Sequence, residues 1–314
     1  MNIIYFLFFN KEYMDSESLN IFCVVAAELS ITRAATRLGR VPSNVTTRIQ
    51  QLEADIGADL FIRSGKRLSL SSAGERLLGY AQRMLALEDE ARQVVTGGRA
   101  GGVLRIGSME STAASRLPAV LSDYHACYPD TRLEVSTGPS RRLLEQVRTG
   151  VQDCAFVALP AGEDAQLALD DMDLAQTRLW REELLMLTPV VEADKAQDAW
   201  RVRSLAAFPQ GCTYRALAEN WLGVPAMPGW TVQEMGSYHA MVACVAAGAC
   251  VTVLPRSVLT LAGDVPGVAA RHMMHVATSL VWRQGYAAPA FQRLLDRLAE
   301  QLLAGAQDEV SRGS

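Results

Sequence analysis

Two groups of residues have the types and spacing to do chemistry. The first lies in Pro42–Ile56. There Val45, Ile49, Leu52 and Ile56 recur at helical spacing and form a stripe suited to burial. Ser43, Thr47, Gln50, Gln51 and Ala54 fall on the opposite face, flanked by Asn44 and Thr46. Such a face is small, uncharged and rich in hydrogen-bonding groups, which a helix needs to read base edges in the major groove. Gln and Asn pair with adenine, and Ser and Thr with several bases. Ser43, Asn44, Thr46, Thr47, Arg48, Gln50 and Gln51 are therefore candidate base and nearby backbone contacts. A few residues on, the apolar runs Leu60-Phe-Ile62 and Leu68-Ser-Leu70 bracket Arg63, Lys66 and Arg67. Strand, basic turn and strand make a wing that lays cations against phosphates. Thr32 and Arg33, at the start of the preceding helix, are candidates for phosphate or minor-groove contacts.

The second group sits at four turns further along: Ser108-Met-Glu-Ser-Thr112, Thr137-Gly-Pro-Ser140, Gly211-Cys-Thr-Tyr-Arg215 and Gly236-Ser-Tyr238. Each follows a strand pattern or begins a helix pattern, and ligands of open α/β sheets bind beyond the carboxyl ends of the strands. Helix N-terminal N–H groups with hydroxyls favour an anion, although Ser and Thr there also serve as ordinary caps. The candidate small-molecule residues are Ser108, Glu110, Ser111, Thr112, Ser140, Cys212, Thr213, Tyr214, Ser237 and Tyr238. Glu110 is the only acid among them. It either holds a cationic group of the ligand or complements its own helix N-terminus, a term worth only ~0.3–1 kcal/mol. With Glu110 as a cation partner, the expected effector is a small zwitterion or amine-bearing metabolite.

The elements that position these groups follow the hydrophobic pattern. Asp15–Glu28 reads as a helix with Leu19, Phe22, Cys23 and Ala26 inward, and Ala34, Ala35 and Leu38 give a short second helix. Ser72–Val95 reads as one long helix. Its stripe is Leu77, Leu78, Ala81, Leu85 and Glu88, widened by Met84, Leu87 and Ala91, which suits pairing with a second copy. Gly97–Gly102, with four glycines, is a hinge. Beyond it, strands at 103–107, 132–136, 154–159, 183–188, 230–234, 250–254 and 279–282 alternate with helices at 111–127, 140–149, 214–222, 238–247 and 290–303. That alternation predicts a mainly parallel sheet covered on both faces.

Charge is distributed unevenly. Between Ser30 and Arg83 nine basic and four acidic residues give +5, so the remainder of a chain of net charge −4 carries −9. A basic head on an acidic body is the footprint of a nucleic-acid binder. It argues against a solute-binding protein with no DNA function. An enzyme is disfavoured because the chain has no G-x-S-x-G, no P-loop and no G-x-G-x-x-G after a strand. No cofactor is expected. The six cysteines (residues 23, 127, 154, 212, 244 and 250) have no C-x-x-C spacing. With no export signal they read as reduced cytoplasmic thiols. The four histidines lack a zinc pattern, so no metal is expected, His272-Met-Met-His275 included.

The head carries L-x-x-F at Leu19–Phe22, S-x-T-R-A-A-x-x-L at Ser30–Leu38, V-x-x-R-I-x-x-L-E at Val45–Glu53, G-x-x-L-F-x-R at Gly57–Arg63 and S-x-A-G at Ser71–Gly74. In this ordered set the chain closely resembles the LysR-type transcriptional regulators, from about Ser16 to Leu303. Two positions depart from the family pattern. Val41-Pro42 replaces the usual Ser-Gln or Ala-Gln, and Thr47 stands where an Arg is common. The family's base contacts therefore do not transfer unchanged. Pro42 itself suits a helix's first turn, where its missing N–H is not needed.

The resemblance implies an N-terminal winged helix-turn-helix, mainly α, a long linker helix, and a C-terminal α/β bilobed, periplasmic-binding-protein-like effector domain. The expected plan is an apolar extension at 1–13, a DNA-binding domain at 14–71, the linker/dimerisation helix at 72–96, the hinge at 97–102, the effector domain at 103–304 and a tail at 305–314. Lobe I takes 103–165 and 269–304, and lobe II takes 166–268. Residues 1–13 read as an upstream start extension or as a short apolar arm; their apolar run is too short for a membrane span of roughly 20 residues. The expected partners are double-stranded promoter or operator DNA, a small-molecule effector between the lobes, and a homodimer through the linker helix. By resemblance the dimers pair into a homotetramer. No membrane partner is expected, and the location is cytoplasmic, on the nucleoid when bound to DNA.

Overall fold

The computed structural model describes residues 14–65, 67–97, 102–159, 163–224 and 229–312. The apolar segment 1–13, Lys66 and hinge residues 98–101 lie outside the described residues. The chain forms two compact units, 1–89 and 90–314.

The first unit is a three-helix head with a hairpin. Its helices are α1 (Ser16–Glu28), α2 (Ile31–Leu38) and α3 (Pro42–Ile56), followed by strands β1 (Phe61–Ser64) and β2 (Arg67–Leu70). The helix ends follow local chemistry. Asp15 caps α1 through a 2.6 Å bond from the Ser18 N–H, and Ser30 caps α2 through the Arg33 N–H at 3.3 Å. Pro42 occupies the first turn of α3, and Gly39 and Gly57 end α2 and α3 in the left-handed conformation, at φ 64° and 75°. Phe22, Val25, Ala34, Ala35, Val45, Ile49 and Leu52 form the head's core.

β1 and β2 pair antiparallel, with Arg63 opposite Leu68 and Ser64 opposite Arg67. Glu53 pins the hairpin to α3, its Oε1 accepting from the Leu60 N–H at 2.8 Å and the Phe61 N–H at 3.2 Å. After β2, Ser71 caps the next helix through the Gly74 N–H at 3.0 Å and donates to the Asp59 carbonyl at 2.6 Å. Gly74 has to be glycine: a Cβ there would stand 2.1 Å from the Leu60 carbonyl oxygen. Two of the sequence motifs, L-E and S-x-A-G, thus exist to seat the wing.

α4 (Ser72–Thr96) is a single 25-residue helix. The face that the sequence suggests for pairing copies is partly occupied within one chain. Ala81 is buried, and Leu77, Leu78 and Leu85 pack against the head's own core. The apolar residues left outward are Tyr80, Met84, Leu87, Val94 and Val95, with the small Ala91 among them.

The second unit is built on one eight-stranded sheet of order β4-β3-β5-β10-β6-β9-β7-β8. Its strands are β3 (Val103–Ser108), β4 (Arg132–Thr137), β5 (Cys154–Leu159), β6 (Leu174–Pro189), β7 (Ser204–Ala207), β8 (Thr231–Glu234), β9 (Val251–Pro255) and β10 (Val268–Arg283). β3 pairs parallel with β4 and β5, and β7 pairs parallel with β8 and β9. These are the two lobes. The expected mainly parallel sheet holds only inside them. β6 and β10, 16 residues each, run antiparallel to one another along their whole length. At one end β10 pairs antiparallel with β5, and at the other β6 pairs antiparallel with β9.

The helices are α5 (Glu110–Ser115), α6 (Leu117–Cys127), α7 (Ser140–Arg148), α8 (Glu163–Asp170), α9 (Thr213–Leu222), α10 (Tyr238–Ala246), α11 (Arg256–Ala262) and α12 (Pro289–Arg312). The single helix expected over Ser111–Cys127 is two. The chain breaks at Arg116, and Pro118 takes the first turn of α6, where a missing N–H costs no helix bond. Three elements were not anticipated: β7, which is only four residues long, and the short α8 and α11.

Lobe I has its own core of Leu104, Ile106, Tyr124, Phe156, Phe291 and Leu294, and the Tyr124 hydroxyl donates to the Ala290 carbonyl at 2.9 Å. His272 and His275 lie on β10 with ring centroids 5.0 Å apart, and His272 Nδ1 is 3.0 Å from Glu183. Among the described residues, no cluster of three or more His, Cys, Asp and Glu could hold a metal, and no helix is long and apolar enough to cross a membrane.

Candidate nucleic-acid interface and effector cavity

α3 turns Val45, Ile49 and Leu52 into the head and leaves Ser43, Asn44, Thr47, Gln50, Gln51 and Ala54 exposed. The other polar positions are engaged within the head. The Thr46 hydroxyl donates to the Pro42 carbonyl at 3.0 Å, and Asn44 Oδ1 accepts from Arg40 at 3.2 Å, which leaves the Asn44 amide donor unused by that bond. Arg48 bonds Glu17 at 2.9 Å and lies 3.8 Å from Asp15. Arg40 pairs with the same Glu17. Arg33 and Arg37 both reach Glu28, at 3.3 and 3.1 Å. Thr32 is exposed on the first turn of α2, and its carbonyl accepts from Thr36 at 3.1 Å. The charge count from Ser30 omitted Asp15, Glu17 and Glu28, and these α1 acids meet four of the nine cations. On the wing, Arg63 and Arg67 are exposed and form no ion pair among the described residues. Lys66 lies outside the described residues.

The four turns singled out by sequence converge in the second unit. A cavity of about 230 Å³ is lined by residues from all of them. Glu110, Ser111, Ser140, Cys212, Tyr214 and Tyr238 are on its wall. Four candidates are not. Ser108 is fully buried and donates to the Met109 carbonyl at 2.9 Å, and Thr112 is buried behind Ser111 in α5. Thr213 spends its hydroxyl on the Ala158 carbonyl at 2.9 Å, tying α9 of lobe II to β5 of lobe I. Ser237 faces a neighbouring cavity.

The wall also contains Thr137, from one of the four turns but not among the candidate residues, and residues the sequence did not single out, chiefly Arg142, Phe208 and Pro209. Arg142 sits one turn into the helix that begins at Ser140, so the helix register could have found it. Phe208 follows β7, too short a strand to register in a sequence pattern.

The cavity crosses the lobe boundary. Gly211 of lobe II accepts from the Arg141 N–H of lobe I at 3.2 Å. Gly211 holds φ 91°, and a Cβ would stand 3.2 Å from that of Arg141, so glycine permits the approach. Ser111, Ser140 and Tyr214 are each only 3% exposed, yet Ser111 Oγ, Ser140 Oγ and the Tyr214 hydroxyl make no well-formed hydrogen bond among the described residues, although Tyr214 lies beside Ser111 and Thr278. Buried polar atoms are normally bonded, and three unbonded ones in a single wall mark a place where a polar molecule fits.

Burial raises the pKa of Tyr214, Tyr238 and Cys212, so all three stay protonated near neutrality and the hydroxyls can donate. For Tyr238 the neighbouring Cys212, Tyr214 and Glu110 act in the same direction, and a bond with Ser111 acts against it. Glu110 and Arg142 provide opposite charges on the wall, and neither forms an ion pair among the described residues.

A helix-turn-helix head with a β-wing, followed by a two-lobed body with a polar cavity at the lobe boundary, defines a ligand-responsive DNA-binding regulator. Family comparison is specific. Residues 16–75 match the bacterial regulatory helix-turn-helix protein, lysR family, and residues 97–303 match the LysR substrate binding domain. The chain is 34% identical over 251 residues to the HTH-type transcriptional regulator GltR of Bacillus subtilis, covering 78% of this chain and 81% of that one. It is 37% identical over 245 residues to YofA of Bacillus velezensis, covering 78% and 82%.

Among solved structures, a full-length OxyR variant from Pseudomonas aeruginosa superposes with a TM-score of 0.64 at 23% identity, covering 91% of this chain and 95% of that one. CbnR, a LysR family transcriptional regulator, has also been solved complexed with its target DNA, and that form superposes at 0.60 with 20% identity, covering 91% and 99%. The chain belongs to the LysR family of transcriptional regulators, sequence-specific DNA-binding proteins with an effector-binding domain.

The unbonded Tyr214 hydroxyl generates a test of the cavity. Leaving a buried hydroxyl unsatisfied costs about 1–3 kcal/mol. Tyr214→Phe should therefore keep or raise the thermal midpoint of the ligand-free protein in calorimetry. A clear fall in midpoint would mean that the hydroxyl already has a partner.

Proposed function

We propose that this regulator reads its operator with α3, grips phosphates with the wing, and responds to a small zwitterion or amine-bearing metabolite in the lobe-boundary cavity. The observation that carries the effector reading is the cavity wall, where Glu110 and Arg142 supply opposite charges beside the unbonded hydroxyls of Ser111, Ser140 and Tyr214. α7 and α9 also begin there, adding partial positive charge for a carboxylate. Glu110 takes the ammonium. A purely anionic acid would leave Glu110 as a repelling charge. The relatives' names as transcriptional regulators support a role in transcription, acting on cytoplasmic DNA, and not catalysis.

For DNA, Ser43, Asn44, Thr47, Gln50 and Gln51 are the exposed readers, and Arg63, Lys66 and Arg67 the phosphate contacts. Thr32, Arg33, Thr46 and Arg48 act at the phosphate backbone or support the helix. The exposed ion pairs of Arg33 and Arg48 are worth little in water, so exchanging a carboxylate for a phosphate there costs little. For assembly, the outward stripe of α4 (Tyr80, Met84, Leu87, Ala91, Val94) repeats at heptad spacing and supports a homodimer through this helix. Body contacts then pair dimers into a tetramer.

Four outcomes follow from these assignments. In mobility-shift titrations on the DNA upstream of its own gene, Gln51→Ala or Thr47→Ala should change discrimination between operator variants by about 1–3 kcal/mol per lost contact. Arg67→Ala should weaken all DNA and reduce the salt slope by about 0.9 for each phosphate lost; an unchanged slope would remove the wing from the interface.

Light scattering on Met84→Asp with Leu87→Asp should show loss of the dimer, and an unaltered oligomer would exclude this helix face. In calorimetry, wild type should bind amino carboxylates over dicarboxylates, and Glu110→Gln should reverse that order. Dicarboxylate binding that is indifferent to Glu110→Gln, with no response to any amine, would refute the effector class.

A further inference from the structure

A second cavity adjoins the first. It measures about 350 Å³, and Glu110 and Tyr238 line both. Its remaining wall is largely apolar: Val242 on α10, Leu254 on β9, Val258 and Leu261 on α11, and Val265 just beyond. Glu110 is its only acid, and Ala114 brings a second position of α5 to its edge. The first cavity alone is smaller than the roughly 300–1,000 Å³ of ordinary ligand sites, whereas the second lies at the low end of that range. A molecule with only a charged head would leave the apolar wall wet. A purely apolar molecule would leave Glu110 unpaired beside it.

We infer that the effector is an amino carboxylate with an apolar side chain: the charged head occupies the first cavity, and the side chain enters the second past Glu110 and Tyr238. This rests on the reading that a zwitterion fills the first cavity. The second cavity is built from α5 of lobe I and from α10, β9 and α11 of lobe II. A ligand occupying both cavities therefore adds contacts between α5 and α10, β9 and α11 of the second lobe to those a head group makes in the first cavity. Side-chain length thereby becomes part of what the regulator senses.

The test is isothermal calorimetry with glycine, alanine, norvaline and norleucine on the full-length protein, on Ala243→Trp and on Ala262→Phe. Both alanines line the second cavity and are exposed, so the larger side chains fill it from its rim without entering the core. A thermal midpoint matching wild type checks that each variant folds. In wild type the affinity should rise about fourfold for each methylene buried. In at least one filled variant that rise should collapse. Equal affinity across the series in wild type, with glycine still bound, would overturn the side-chain inference and leave the zwitterion reading intact. No binding of any member would overturn both. A rise preserved in both variants would overturn the assignment of the second cavity.

Discussion

The antiparallel ladder between β6 and β10 is the constraint on which the body depends. Each strand belongs to both lobes, so neither lobe completes its sheet without the other. β5 closes on β10 at one end and β9 on β6 at the other. The parallel strands on either side then direct their carboxyl ends toward a common boundary, which is why four turns far apart in sequence share a single cavity. Motion at that boundary is restrained by few bonds. Thr213 donates to Ala158, and the Arg141 N–H donates to Gly211. Glu182, on β6, accepts from Arg116 of lobe I and Ser257 of lobe II, both at 2.8 Å. Glu182 is 5% exposed, so losing Arg116 would leave a buried carboxylate without its cation. These contacts tie the two lobes to each other beside the ladder.

The head is governed by a different balance. Its cations are numerous, but α1 supplies acids to several of them, with Glu17 holding Arg40 and Arg48 and Glu28 holding Arg33 and Arg37. Exposed pairs of this kind contribute little to stability. They fix the approach of α2 and α3 to α1 while leaving guanidinium groups that can change partner. Glu53 behaves differently. Bonded to two wing N–H groups, it ties the hairpin to α3, and Arg63 and Arg67 on that hairpin form no ion pair among the described residues.

Some buried hydroxyls of the body are bonded: Ser108 to Met109, Thr252 to Ala206, Tyr124 to Ala290. Others have no well-formed bond among the described residues, among them Ser204, Thr278 and Ser279 in the sheet and Ser111, Ser140 and Tyr214 at the cavity wall. At the wall each carries a desolvation cost that a ligand can relieve, and relief of that cost is a source of differential affinity between resting and bound states.

The local chemistry of the chain was legible in its sequence. The buried stripe and the polar face of α3, the wing, the long α4 and the four turns that meet in the cavity all rest on short-range periodicity, capping and turn residues, which act over one or two helical turns. Residues whose role depends on distant neighbours were not legible. Leu77, Leu78 and Leu85 looked like a surface for a second copy, but only the packed head shows that its own core takes them. Thr213 looked like a ligand hydroxyl until β5 brought the Ala158 carbonyl beside it. Arg142 drew no notice as a surface cation until α7 placed it on the cavity wall. The exposed halves of β6 and β10 follow no simple alternation, because their burial changes as they pass from one lobe to the other. Sequence by itself determined most of the elements, the family and the polar turns. Tertiary structure alone decided which hydroxyls are already bonded, which cations are already paired and which apolar face is left over, because each of these depends on partners that only long-range packing brings within reach.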